Sequence, residues 1–180
     1  MLYQLFFLLT SLTGWLAFFF QREKTLHGRN LAKQGIHKDA FIFFYLNGLL
    51  WAFFLALRHS ITGSARLMII HLLRRTFESA LYSYNCKSKM SRIHWIGGLL
   101  YYPLIVARSF NNDHPLPSLF VLASLGQAIS HYLLFRKGRF TYYTHYLCES
   151  LIHYSIVQDI THVTWITTFS LINAINRTFK

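Results

Sequence analysis

The stretch HLLRRTFESALYSY, residues 71–84, sets His71, Arg74, Arg75 and Glu78 at i, i+3, i+4 and i+7. On a helix these four side chains share one face, and Arg74 with Glu78 makes an i, i+4 pair. Two guanidinium groups side by side suit a bound anion. The alternative is that both arginines snorkel to water from a helix end. A second polar row lies in TYYTHYLCESLIHYS, residues 141–155, where His145, Glu149 and His153 recur at i, i+4 and i+8. Tyr142 and Tyr146 fall close to the same face. Gln127 and His131 form a further i, i+4 pair.

These residue types leave several chemistries open and exclude others. Three histidines and a glutamate could bind a metal, but neither H-E-x-x-H nor clustered histidine boxes are present, so no metal site is expected. No G-x-S-x-G elbow points to a serine hydrolase. Without G-x-G-x-x-G or a P-loop, any nucleotide would be held by helix side chains and loops.

The elements that must position these groups are apolar. Of the 180 residues, 53% are hydrophobic, 18% aromatic and only 13% charged. That charge content is about half the soluble norm of roughly 25%. A net charge of +12 would suggest nucleic acid in a soluble protein. Here the bases lie mostly between apolar runs, so no nucleic-acid partner is expected, and a polytopic all-α membrane protein is.

Seven segments are candidate spans: 2–20, 40–57, 65–84, 93–107, 119–135, 141–157 and 161–176. The first lacks the charged start and cleavage site of a signal peptide and reads as a retained helix. The loop over residues 21–39 carries Arg22, Lys24, Arg29, Lys33 and Lys38 against Glu23 and Asp39. Lys87, Lys89 and Arg92 follow the third span, Arg136, Lys137 and Arg139 the fifth, and Arg177 and Lys180 the seventh. The alternate connections are poorer in base. This positive-inside alternation puts the N-terminus in the lumen and the C-terminus in the cytosol. One membrane domain over residues 1–180 is expected, with Cys86 in a cytosolic loop, Cys148 in a helix and no disulfide between them.

A charge at mid-bilayer costs about 2.5–3.5 kcal/mol even on the lenient insertion scale. The polar faces of the third, fifth and sixth spans are therefore expected to turn inward, onto a shared cavity in the cytosolic half. The aromatic run FIFFYLNGLLWAFF, residues 41–54, reads as lipid-facing and packing surface, with Tyr45 and Asn47 as its polar exceptions. For Asn47 an interhelical hydrogen bond is the preferred reading.

Several blocks carry a resemblance. HLLRRTFESALYSYNCKSKM (71–90) followed by IHWIGGLLYYP (93–103) resembles the polyprenol reductase branch of the steroid 5-alpha-reductase family. IHKDAFIFFY (36–45), QAISHYLL (127–134) and GRFTYYTHYLCE (138–149) are similar to further elements of that branch, in the same order. The chain departs from the pattern at Phe43, where the branch has histidine, and at Thr144, where it has proline.

The resemblance implies a seven-helix, multi-pass enzyme of the endoplasmic reticulum membrane. Such an enzyme uses NADPH to reduce the alpha-isoprene double bond of a polyprenyl lipid, supplying the dolichol needed for N-glycosylation. Carried over by position, it implies catalytic roles for Tyr45, His71, Glu78, His145 and Tyr146. Cofactor contacts would come from Arg74, Arg75, Gln127, His131 and Glu149. Membrane lipids are the other expected partners, and no obligate protein partner is evident. Two other readings remain. An isoprenylcysteine-type methyltransferase using S-adenosylmethionine would carry R-H-P-x-Y, where this chain has only Thr144-His145-Tyr146. A non-catalytic membrane protein would need none of these groups for chemistry.

Overall fold

The computed structural model describes residues 2–20, 35–84, 88–136 and 142–178. It is mostly helical. Its helices are α1 (Leu2–Phe20), α2 (Phe41–Ala56), α3 (Gly63–Leu81), α4 (Arg92–Phe110), α5 (Pro117–Arg136), α6 (Tyr142–Val157) and α7 (Ile160–Thr178). Each of the seven expected segments is thus helical. Among the described residues, three stretches are long and apolar enough to cross a membrane: Tyr3–Phe20, Lys38–Ala56 and Pro117–Arg136. Most of the loop bases (Arg22, Lys24, Arg29, Lys33, Lys87, Lys137, Arg139 and Lys180), together with Cys86, lie outside the described residues.

By internal contacts the chain divides into two compact units. The middle unit is Leu26–His114; the split unit combines Met1–Thr25 with Pro115–Lys180.

In the middle unit, α2 packs against both α3 and α4. Close approach of α2 and α4 depends on glycine. A Cβ at Gly98 would lie 2.5–2.8 Å from the Phe44 ring, and one at Gly48 would lie 3.1–3.3 Å from Leu72 and Tyr102. Asn47 Nδ2 donates to the Leu99 carbonyl at 2.8 Å, the expected interhelical bond. Thr62 caps α3, its hydroxyl accepting from Ala65 N at 3.1 Å and donating to the Ser109 carbonyl at 2.8 Å. The oxygen thereby both fills the helix-start donor and ties α3 to the end of α4. Ser91 caps α4 in the same way by accepting from His94 N. That helix runs through Pro103 and ends beyond the expected 93–107. A two-residue antiparallel clip, β1 (Ile36–His37) with β2 (Lys89–Met90), joins the segments that lead into α2 and α4.

In the split unit, α5 pairs with α6, α1 with α7, and α6 with α7. A Cβ at Gly14 would meet Ile172 and Thr168 only at ordinary contact distances, 3.5 and 3.8 Å. Gly126 is tighter and lets α5 and α6 approach, since a Cβ there would meet Cys148 Sγ at 2.8 Å. Cys148 is a buried free thiol. Between α6 and α7, Gln158 takes a left-handed φ of 48°. Asp159 then caps α7 by accepting from Thr161 N at 2.9 Å and His162 N at 3.3 Å.

Polar side chains share the interior with an apolar core, and large apolar side chains are exposed. Ser64, His71, Arg75, Gln127, Ser130, His131, His153, Ser155 and His162 are buried. Leu5, Leu9, Leu12, Phe19 and Phe20 on α1, and Leu50, Trp51, Phe53 and Phe54 on α2, are exposed. Contiguous apolar surface of this kind is unfavourable in water and suits contact with lipid.

Candidate active-site clusters

The third-span groups gather in the middle unit. Their helix carries Ala65, Met68 and Leu72 on its buried side, and His71 and Arg75 continue that side toward the C-terminal end. Glu78 receives both arginines, from Arg74 Nη1 at 2.5 Å and from Arg75 Nη1 at 2.6 Å. Arg75 Nη2 donates across to the Tyr45 hydroxyl on α2 at 2.6 Å, and its guanidinium carbon lies 4.9 Å from the Tyr45 ring centroid. Arg74 Nη2 lies 3.4 Å from His71 Nδ1, which accepts because an arginine has only protons to give. Tyr45 and His71 are buried.

This cluster refines the expected anion site. Both arginines are engaged with Glu78 on their own helix, so the face is an ion-pair network with a phenol attached. Arg74, with 22% of its side chain exposed, is the more accessible of the pair; Arg75 keeps 7%.

The fifth- and sixth-span groups gather in the split unit. The His131 and His145 rings are 4.6 Å apart between centroids. His145 Nε2 lies 3.3 Å from Glu149 Oε2, which turns the imidazole through an i, i+4 contact. Its Nδ1 is buried and makes no hydrogen bond among the described residues. Gln127 is fully buried one turn before His131 on α5. Tyr146 sits beside His145, with ring centroids 5.3 Å apart. The Tyr142 side chain lies outside the described residues. A carboxylate-oriented imidazole with an inward-facing nitrogen can take or give a proton. Among the described residues, no group of three or more His, Cys, Asp or Glu side chains is arranged to hold a metal ion.

Two features had no signal in helix periodicity. Lys38, counted among the loop bases, is buried, with Nζ 5.7 Å from the Phe41 ring and 5.6 Å from that of Tyr84. The clip holds it there, Lys38 N donating to the Ser88 carbonyl at 3.1 Å. A lysine between two ring faces is a cation–π arrangement. His162 on α7, the other feature, packs edge-to-face on His153, 5.1 Å between centroids. The place of Lys38 in the IHKDAFIFFY block and the histidine of the seventh segment were the hints.

Comparison of the chain with family models, with curated proteins and with solved structures finds no match.

Proposed function

We propose that the protein is a membrane-embedded, NADPH-dependent reductase of a polyprenyl lipid. It would act on the alpha-isoprene double bond of polyprenol or polyprenal in dolichol synthesis. In this reading all seven helices span the endoplasmic reticulum membrane, with the N-terminus luminal and the C-terminus cytosolic. The observation that carries it is the Tyr45 hydroxyl accepting from buried Arg75, itself held by Glu78.

The donor set suits a dinucleotide phosphate, because two guanidinium groups lie side by side and Arg74 is partly exposed. Arg74 and Arg75 of the middle unit would hold the anionic part of NADPH; the roles that the resemblance implies for Gln127, His131 and Glu149 belong to the split unit. NADPH, when bound, supplies a hydride. The chain's own residues handle the proton. Arg75 donates to the Tyr45 oxygen, and the Tyr45 O–H would be the proton donor. The adjacent guanidinium stabilises the phenolate that such donation creates. His71, whose Nδ1 accepts from Arg74, belongs to the same network. In the split unit, Glu149 orients His145 as a second acid–base group, with Tyr146 at its side.

Membranes containing the chain, incubated with NADPH and polyprenal, are expected to yield the saturated product by mass spectrometry. Tyr45→Phe should lower the rate by about 10²–10⁴-fold, the range of a lost general acid. Arg75→Ala and His145→Ala should also lower it. Absence of product from the unaltered chain would refute the reading.

A second reading is favoured by one observation, the occupation of both arginines by Glu78. The network is then purely structural in a non-catalytic membrane protein. Tyr45→Phe would leave any growth or glycosylation phenotype unchanged.

A further inference from the structure

Five titratable side chains in the split unit follow one another through its interior, and only the first three belong to the candidate site. His131 on α5 meets His145 on α6. His145 meets Glu149 at 3.3 Å. His153 lies one turn further on the same face of α6. It packs 5.1 Å, centroid to centroid, from His162 on α7. His153 and His162 are fully buried. His162 is sealed by the Phe7 edge at 5.1 Å and by the Trp165 ring stacked at 6.4 Å. Beyond it, Asp159 closes the row at the α6–α7 turn, its carboxylate on the backbone N–H of His162.

Ionisable groups inside a membrane-type bundle are costly, and chains of Asp, Glu and His are what proton relays are built from. Apolar side chains would fill these positions at lower cost. A rise of 1.5 Å per residue puts successive i, i+4 groups on α6 about 6 Å apart, within reach of side-chain rotation or one bridging water. An imidazole suits such a row because it can accept a proton on one nitrogen and release one from the other.

We infer that His131, His145, Glu149, His153 and His162 form a buried proton-exchange row linking the His145 site to the α6–α7 turn. One proton is taken up at one end of the row as another is released at the other, and no electrons move. The inference deepens the reductase reading by naming the route that re-protonates His145, but the row itself requires neither NADPH nor lipid. Among the described residues, further titratable groups of this unit are Cys148 and Tyr146 on α6, Asp159 in the turn and Tyr3 beside Phe7 on α1.

Its test needs no substrate. The full chain, labelled with ¹⁵N-histidine in lipid nanodiscs, is titrated while the imidazole nitrogens are followed by NMR. The row predicts coupled, two-step titration of His145 and His153. His162→Gln should move the midpoint of His145, two contacts away, by about half a unit or more. In a Glu149→Gln background the same change should leave His145 where it was, because the central link is cut. Single-step, independent titration in the unaltered chain overturns the inference, as does a His145 midpoint indifferent to His162→Gln. If His162→Gln does not fold, the titration curves of the unaltered chain decide by themselves, coupled steps supporting the row and independent steps overturning it. Loss of reductase activity with coupling intact would sink the reductase reading only.

Discussion

At the scale of single residues, the Arg74–Glu78–Arg75 fork is the most consequential arrangement in the middle unit. Removing one member of a fully buried pair costs about 3–5 kcal/mol, because the partner is left buried and uncompensated. Glu78 retains 14% side-chain exposure, so Glu78→Gln is expected toward the lower end of that range. A clear drop in thermal unfolding midpoint in detergent would register it. Arg74→Gln should cost less than Arg75→Gln, since Arg74 is the more exposed and does not reach Tyr45. If Glu78→Gln left the midpoint unchanged, the fork would have no part in stability. Thr62→Ala offers a separate check on α3. It removes a helix cap and a bond to Ser109, and about 1 kcal/mol should be lost.

Helix pairing is governed by small residues. Gly97 and Gly98 are neighbours in sequence and opposites in environment. Nothing lies within 4 Å of a Cβ at Gly97, whereas one at Gly98 drives into the Phe44 ring. Gly98→Ala should therefore destabilise the middle unit by about 1–3 kcal/mol through overpacking. Gly97→Ala should be neutral or stabilising by up to about 1 kcal/mol through helix propensity. Paired unfolding measurements on the two variants would settle it, and equal effects would mean that α2 and α4 do not meet at Gly98. The pattern matches small-residue contacts in lipid, where helices associate through close packing rather than through a hydrophobic drive.

For the molecule as a whole, orientation is the testable quantity. With Cys86 replaced by serine, a membrane-impermeant maleimide applied to sealed microsomes should label Ser83→Cys directly. Ser60→Cys should be labelled only after permeabilisation; both positions are exposed. The Asn176-Arg-Thr178 acceptor should carry no glycan, as it falls at the cytosolic edge in this orientation. The reverse labelling, or a glycan at Asn176, would invert the topology and put the arginine fork near the wrong compartment for a cytosolic cofactor.

The seven helices were legible from residue order because each apolar run is a local property of the chain, and three of them are long and apolar enough to cross a membrane. The shared face of His71, Arg74, Arg75 and Glu78, and the His145–Glu149 contact, were legible for the same reason, being set by helix geometry within one element. Asn47 was readable as a lone amide needing a partner, though not that the partner is Leu99. Contacts between elements were hidden. The reach of Arg75 to Tyr45, the aromatic seat of Lys38, the fit of Gly98 on Phe44 and the His153–His162 pair all join residues distant in the chain. A helix apolar on every side gives no sign of which face meets a neighbour. Only the packed tertiary structure selects those faces, through the close fit of small residues and the cost of leaving a buried charge without company.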